Sequence, residues 1–238
     1  MKEPGATHSL TFDHQVLFVG KSAMTGRDGT IWVMKQRSGM AVIDFWYSIG
    51  STYSYLTVMR LPSVAKAAGI AFRWRPFDVR HVMEVQNNIP FKDKPEKTIH
   101  MWRDIERRAA RYDLTPSIPA PYPLPGLVLA NQVAILGAEE DWVEAYTRTT
   151  YRRWFEAGQP AGEEPNLTES LTEIGQDPLR VLEAAQSGRI VEALSIATKE
   201  AMASGVFGSP SFVVEGELFW GDDRLEDAVD WARAGKRH

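Results

Sequence analysis

Residues 42–56 read V-I-D-F-W-Y-S-I-G-S-T-Y-S-Y-L, and the rest of the chain is arranged around them. Val42, Ile43, Phe45, Trp46 and Tyr47 are β-branched or aromatic within a short run, which predicts a strand. Ser48-Ile49-Gly50 predicts a tight turn, since Gly50 has no Cβ to oppose it. A helix is expected next, with Ser51 or Thr52 as N-cap and Tyr55, Leu56 and Met59 on one face. A strand, a tight turn, a hydroxyl and a helix set a reactive group at the positive end of a helix dipole. The N–H groups of the first turn have no intrahelical partner there, so negative charge is favoured.

Sulfur-redox proteins of the thioredoxin class carry Cys-x-x-Cys at this place, whereas here the four positions are Ser51-Thr52-Tyr53-Ser54. The chain has no cysteine at all. A disulfide, a thiolate nucleophile and a Cys-ligated metal are therefore excluded. Any thiol chemistry must use a sulfur brought in by another molecule.

Outward from this stretch, 238 residues imply one large domain or a scaffold with a substantial insertion. The hydrophobic share of 44% suffices for a core, and a net charge of −4 gives no global basic field for nucleic acid or anionic lipid. No apolar run is long enough to span a bilayer. Residues 1–9 lack the apolar segment of a secretory signal, so a soluble, cytoplasmic protein is expected. His8, His14, His81, His100 and His238 show no metal-ligand spacing, and no metal is expected.

Residues 1–39 fit poorly with the rest of the chain. Residues 15–20 and 30–35 read as two short strands joined through Arg27-Asp28-Gly29. The alternative is that Met40 is the natural start. Beyond the 42–56 unit, Leu61-Pro62 predicts a kinked or broken helix, and Gly69 suits a left-handed cap. Residues 70–76 alternate as a half-exposed strand, completing a βαβ unit. Helical signals dominate residues 78–205. Ile99, Trp102, Ile105, Ala109 and Tyr112 mark the core face of a helix over 97–112. Further helices are expected over 128–138, 140–157, 167–174, 178–187 and 190–204, with Gly158, Gly188 and Gly205 as stops. A proline-rich loop fills 116–125. Residues 211–220 read as a hairpin turning at Glu215-Gly216. Asp222 or Asp223 is expected to cap a last helix through Ala234.

This order predicts an α/β thioredoxin-like fold with a large all-helical insertion. The expected parts are residues 40–78 with 198–238 as the thioredoxin-like domain, 79–197 as the helical insertion, and 1–39 as an extension.

Three stretches together resemble one family: Ser51-Thr52-Tyr53-Ser54-Tyr55-Leu56, then residues 205–212 (G-V-F-G-S-P-S-F), then residues 219–225 (F-W-G-D-D-R-L). The chain is similar to the 2-hydroxychromene-2-carboxylate isomerases, relatives of kappa-class glutathione transferases in the DsbA-like branch of the thioredoxin fold. The resemblance covers about residues 41–235. It implies glutathione as cofactor, a small aromatic acid as substrate, and a homodimer. It also implies that Ser51 is the catalytic residue, its hydroxyl bonding the sulfur of glutathione. Ser209, ahead of a cis-proline at Pro210, would pair its backbone with the cysteinyl part. Asp222 and Asp223 would hold the γ-glutamyl end, and Asn88 matches a family asparagine. Thr52 departs from the pattern, which commonly has proline there.

Physical reasoning agrees with this assignment. A hydroxyl donor and a helix N-terminus both favour a thiolate over a thiol. No histidine lies close in sequence to act as a base for Ser51, so it suits stabilising a visiting sulfur better than attacking. Pro210, after a small residue and before a strand, fits a cis bond. Arg75, Arg80, Lys97 and His100 are the candidates for a substrate carboxylate. Tyr53, Tyr55, Trp46 and Trp102 are expected in the core, and Trp154 on a packed helix face. The Arg103, Arg107, Arg108, Arg111 run is expected on a solvated helix face. The alternatives are a kappa-like transferase that conjugates electrophiles and a non-catalytic thioredoxin-like binding protein.

Overall fold

The computed structural model describes residues 41–91 and 93–235. The strands expected within 1–39, and Met40, lie outside the described residues. Strand β1 (Val42–Tyr47) leads through the Ser48–Tyr53 turn into helix α1 (Ser54–Ala68), and β2 (Ala71–Pro76) comes next. A helical stretch succeeds it: α2 (Val79–Val85), α3 (Pro95–Arg111), α4 (Leu127–Glu139), α5 (Val143–Glu156), α6 (Asn166–Glu173), α7 (Pro178–Ala185) and α8 (Gly188–Ala203). The chain closes with β3 (Ser211–Val214), β4 (Glu217–Trp220), a 3₁₀ turn over Asp222–Arg224, and α9 (Leu225–Ala234). The sheet order is β2-β1-β3-β4, with β1 and β2 parallel and the other pairs antiparallel. This is the thioredoxin-like order with helices inserted between β2 and β3.

Strand alternation divides β1 between two apolar clusters. Ile43, Phe45 and Tyr47 join the main core, where Phe45 stacks on Phe212 of β3 at 5.5 Å. Trp46 faces the other way, packing with Phe77, Val79, Val82, Ala201 and Val206. The helical stretch is fastened to α1 by aromatic stacking: Tyr55 lies on Phe155 of α5 with ring centroids 4.2 Å apart. Trp46, Tyr55 and Trp154 are buried as expected, while Tyr53 and Trp102 are only half-buried.

Several local expectations are corrected. Pro62 does not break α1, which runs unbroken to Ala68 and ends at Gly69 in the left-handed region (φ 67°). Burial of Tyr55, Leu56, Val58 and Leu61 along that helix offsets the one hydrogen bond that proline removes. On α3 the buried face is Met101, Ile105 and Ala109, whereas Ile99 is 70% exposed. Gly188 opens α8 instead of stopping α7, because Ser187 caps α8 by accepting from the Ile190 N–H. Asp222 and Asp223 cap nothing: neither the 3₁₀ turn nor α9 has a side-chain cap bond. Arg108 leaves the solvated face of α3 and turns inward.

Candidate functional site

The turn after β1 forms the floor of a cavity of about 960 Å³. Gly50, Ser51, Thr52 and Tyr53 supply the floor with Gly208 and Ser209 from the loop before β3. Gly50 has φ +129°, a backbone region that a side chain opposes, so the tight turn depends on glycine. Arg80, Met83 and Glu84 of α2 reach one wall, and Asp78 caps that helix by accepting from the Arg80 and His81 N–H groups. The remaining wall is largely apolar and aromatic: Ile89, Phe91, Tyr122, Leu127, Phe207 and Trp220. The Phe207 and Trp220 rings meet at 4.9 Å. Gly208 allows that arrangement, because any side chain there would collide with the Trp220 indole.

Ser51 is not a helix cap. Helix α1 begins at Ser54, with Tyr53 at the cap position and no side-chain cap bond. The Ser51 hydroxyl donates instead to the Ser209 carbonyl at 2.7 Å, across a sequence separation of 158. Thr52 also fails to cap. It is buried and donates to the Met101 sulfur at 3.0 Å, tying the turn to α3. The Ser209 hydroxyl accepts from the Ser48 N–H at 2.9 Å and meets the Ser54 hydroxyl at 2.8 Å. The two loops of the floor are thus stitched together by small hydroxyls. The Ser209–Pro210 bond is cis, and the Pro210 carbonyl accepts from the Gly221 N–H at 2.9 Å.

Ser51, Asn88 and Ser209 therefore share one cavity, with Asn88 exposed on its wall. Pro210 is buried behind Ser209. Asp222 and Asp223 do not line the cavity. Asp222 is 2% exposed and fully engaged. It accepts from the Thr57 hydroxyl at 3.0 Å and pairs with Arg60 at 3.2 Å and Arg108 at 2.7 Å. Burial works against the charge on both arginines, but the hydrogen bond to Glu226 and the Asp222 charge together raise the Arg60 pKa, and the Asp222 bond and charge raise that of Arg108. Asp223 is exposed beside Arg224.

Of the four candidate cations, Arg80 and Lys97 line the cavity. Arg75 lies over the Trp46 ring and pairs with Glu200 at 2.6 Å. His100 lines a smaller adjoining recess with Tyr53 and Phe91. Tyr53, expected in the core, lines the main cavity and donates to Asp104 at 3.1 Å. Burial, and then the nearby Asp104 charge, push its phenol up to about 12. Among the described residues no cluster of three or more His, Asp or Glu side chains could hold a metal ion, and no helix is long and apolar enough to cross a membrane.

Sequence reasoning missed the groups that hold the floor from behind. Asn131 accepts from the Ile49 N–H and donates to the Ile49 carbonyl, both at 2.9 Å. The Tyr151 hydroxyl donates to the carbonyls of Ser48 at 2.9 Å and Ser51 at 3.1 Å. The signal for Asn131 is its place in the apolar run of α4, L-V-L-A-N-Q-V-A-I-L. A polar side chain in such a run must find partners once buried.

A family model described as a DSBA-like thioredoxin domain matches residues 42–230. The chain belongs to the DSBA-like thioredoxin family. Relatives agree with that placement. A protein of Sphingobium xenophagum named 2-hydroxychromene-2-carboxylate isomerase is 28% identical over 186 residues, spanning 77% of this chain and 94% of the relative. Glutathione S-transferase kappa 1 of Caenorhabditis elegans is 25% identical, spanning 79% and 89% respectively. A solved structure of 2-hydroxychromene-2-carboxylate isomerase superposes with a TM-score of 0.71 at 24% identity, covering 78% of this chain and 91% of that one.

Proposed function

We propose that the chain is a glutathione-dependent isomerase of conjugated aromatic acids of the 2-hydroxychromene-2-carboxylate type. One observation carries the reading: the Ser51 hydroxyl sits on the floor of a large cavity, in the turn that leads into α1, in a chain with no cysteine. Relatives named as such isomerases add support. Small-molecule cavities run from about 300 to 1,000 Å³. At about 960 Å³ this one has room for a tripeptide thiol beside a second ligand.

Ser51 donates to the Ser209 carbonyl. A hydroxyl rotates freely, so the same proton turns to a thiolate when one arrives. That frees the Ser209 carbonyl to accept from the cysteinyl N–H of the same tripeptide. One ligand thus satisfies both halves of the bond it breaks. Asn88 on the wall is a further contact. Asp223, exposed, is the carboxylate available to the γ-glutamyl amino group, while Asp222 and Pro210 fix the loops that carry the contacts. Arg80 and Lys97 line the cavity beside its aromatic wall and are the cations proposed to pair with a substrate carboxylate. In the reaction the thiolate adds to the conjugated substrate and the ring carbon–oxygen bond opens. The freed single bond rotates, the sulfur leaves as thiolate, and the proton of the hydroxyl on the opened carbon passes to the freed ring oxygen, so glutathione is unchanged. A cytoplasmic homodimer belongs to the same proposal.

The second reading is a kappa-like glutathione transferase, favoured by the relative of that name and by the same cavity. Titration calorimetry with glutathione, then isomerase and electrophile-conjugation assays side by side, test both. Binding at millimolar glutathione, with isomerisation only in its presence, is expected. Absence of binding overturns both readings, and conjugation without isomerisation selects the transferase.

A further inference from the structure

We propose that Tyr151 and Asn131 are positioning residues for the bound sulfur, turning the carbonyls of the 48–51 turn toward the protein interior so that the turn offers the cavity its donors. This deepens the glutathione reading and rests on it. Both side chains are 0% exposed and neither lines the cavity. Their bonds therefore draw the carbonyls of Ser48, Ile49 and Ser51 away from the ligand side. What the turn keeps on the cavity floor is the Ser51 hydroxyl, while the Ser51 N–H is spent on the Ser48 carbonyl at 3.1 Å. A carbonyl facing a thiolate repels it and an N–H attracts it, and both effects grow where water is excluded.

Packing alone does not account for the two residues. A phenylalanine and a leucine would fill the same volumes without burying polar atoms, whose desolvation must be matched by bonds. Asn131 is fully matched: its amide makes both Ile49 bonds and a third, at 2.8 Å, to the Leu127 carbonyl. Tyr151 shares one proton between two carbonyls of the turn. Burial, and then the neighbouring Tyr47, push its phenol well above the ordinary tyrosine range, so it stays a donor and never becomes a base. Both residues come from the inserted helices, α4 and α5. The insertion thereby sets the electrostatics of a turn that belongs to the sheet.

The titration of bound glutathione tests the proposal, read by the ultraviolet absorbance of its thiolate against pH. The charged and titratable groups lining the cavity, Tyr53, Arg80, Glu84, Asp93, Lys97 and Tyr122, are untouched by the substitutions used. With Tyr151→Phe the thiol pKa is expected to rise by about one unit, a tenfold loss of thiolate preference. S-methylglutathione, which has no ionisable sulfur, is expected to bind within about twofold of its affinity for the unaltered protein, since only the thiolate feels the reoriented carbonyls. An unchanged thiol pKa in Tyr151→Phe overturns the proposal. So does a loss of S-methylglutathione affinity that matches the pKa change, since that marks a merely distorted site. Asn131→Ser is judged by the same two outcomes if Tyr151→Phe does not fold. If the unaltered protein binds no glutathione, the underlying reading fails and this proposal with it. If it binds glutathione and the variants titrate identically, the proposal alone fails.

Discussion

On the floor of the cavity, Ile49 is tied at both its N–H and its carbonyl to one buried amide. On the wall, Asn88, Ile89 and Asp93 are exposed, and among the described residues the backbone N–H groups of Asn87 and Asn88 bond to the nearby carbonyls of Glu84 and Met83. The floor draws its partners from far along the chain, whereas the exposed 87–89 stretch of the wall bonds its backbone to its own neighbours. Long-range, water-excluded bonds fix a geometry, whereas a segment with few buried contacts belongs to the low-stability end of a fold. Under the proposed reading this is a division of labour: the floor would hold the sulfur, and the 87–93 segment would meet the substrate.

The comparison breaks first at the link between its halves. Asp222 joins α1, which carries the floor, to α3, which borders the wall, through Arg60 and Arg108. Removing Asp222 takes the paired carboxylate from Arg108 and leaves Arg60 with Glu226 alone, so Asp222→Ala is expected to cost about 3 kcal/mol of stability in a urea titration. Next comes the floor itself. Ser51→Ala is expected to lower thiol-dependent turnover about 100-fold at saturating glutathione, the scale of losing one donor to a developing anion. Steady-state kinetics check this, and substrate KM should barely move. The wall gives the smallest effect. Phe91→Ala is expected to raise KM for an aromatic substrate about fivefold, from lost apolar burial of roughly 1 kcal/mol, with turnover nearly unchanged. A change confined to turnover in Phe91→Ala would erase the distinction between floor and wall.

Legibility in the sequence divides along the same line. The strand, turn and helix over 42–56 are legible because local residue types dictate them, and Gly50 carries the positive φ that the turn needs. Ser51 and Thr52 look like caps in the sequence and are not, for one reason: their hydroxyls bond to Ser209 and Met101, 158 and 49 positions away. Asp222 misleads in the same way, since its partners lie 162 and 114 positions back. The boundaries of the six helices expected over 97–204 are readable to within a few residues, whereas α2 is not expected as a separate helix; the expected core face of α3 holds at Ile105 and Ala109 but fails at its start, with Met101 inside and Ile99 outside. Both are apolar, and only tertiary packing separates them. Of the site, Ser51, Ser209 and Asn88 do share a cavity, but Tyr151 and Asn131 become visible only once α4 and α5 are seen against the turn.

The absence of cysteine reaches beyond the reaction. A thiol introduced anywhere in this chain would be its only one, and would take a label with no competing background. Paired probes on Asn88 and Ser204, for example, could report whether the cavity narrows as a guest enters, with no native sulfur to strip away first.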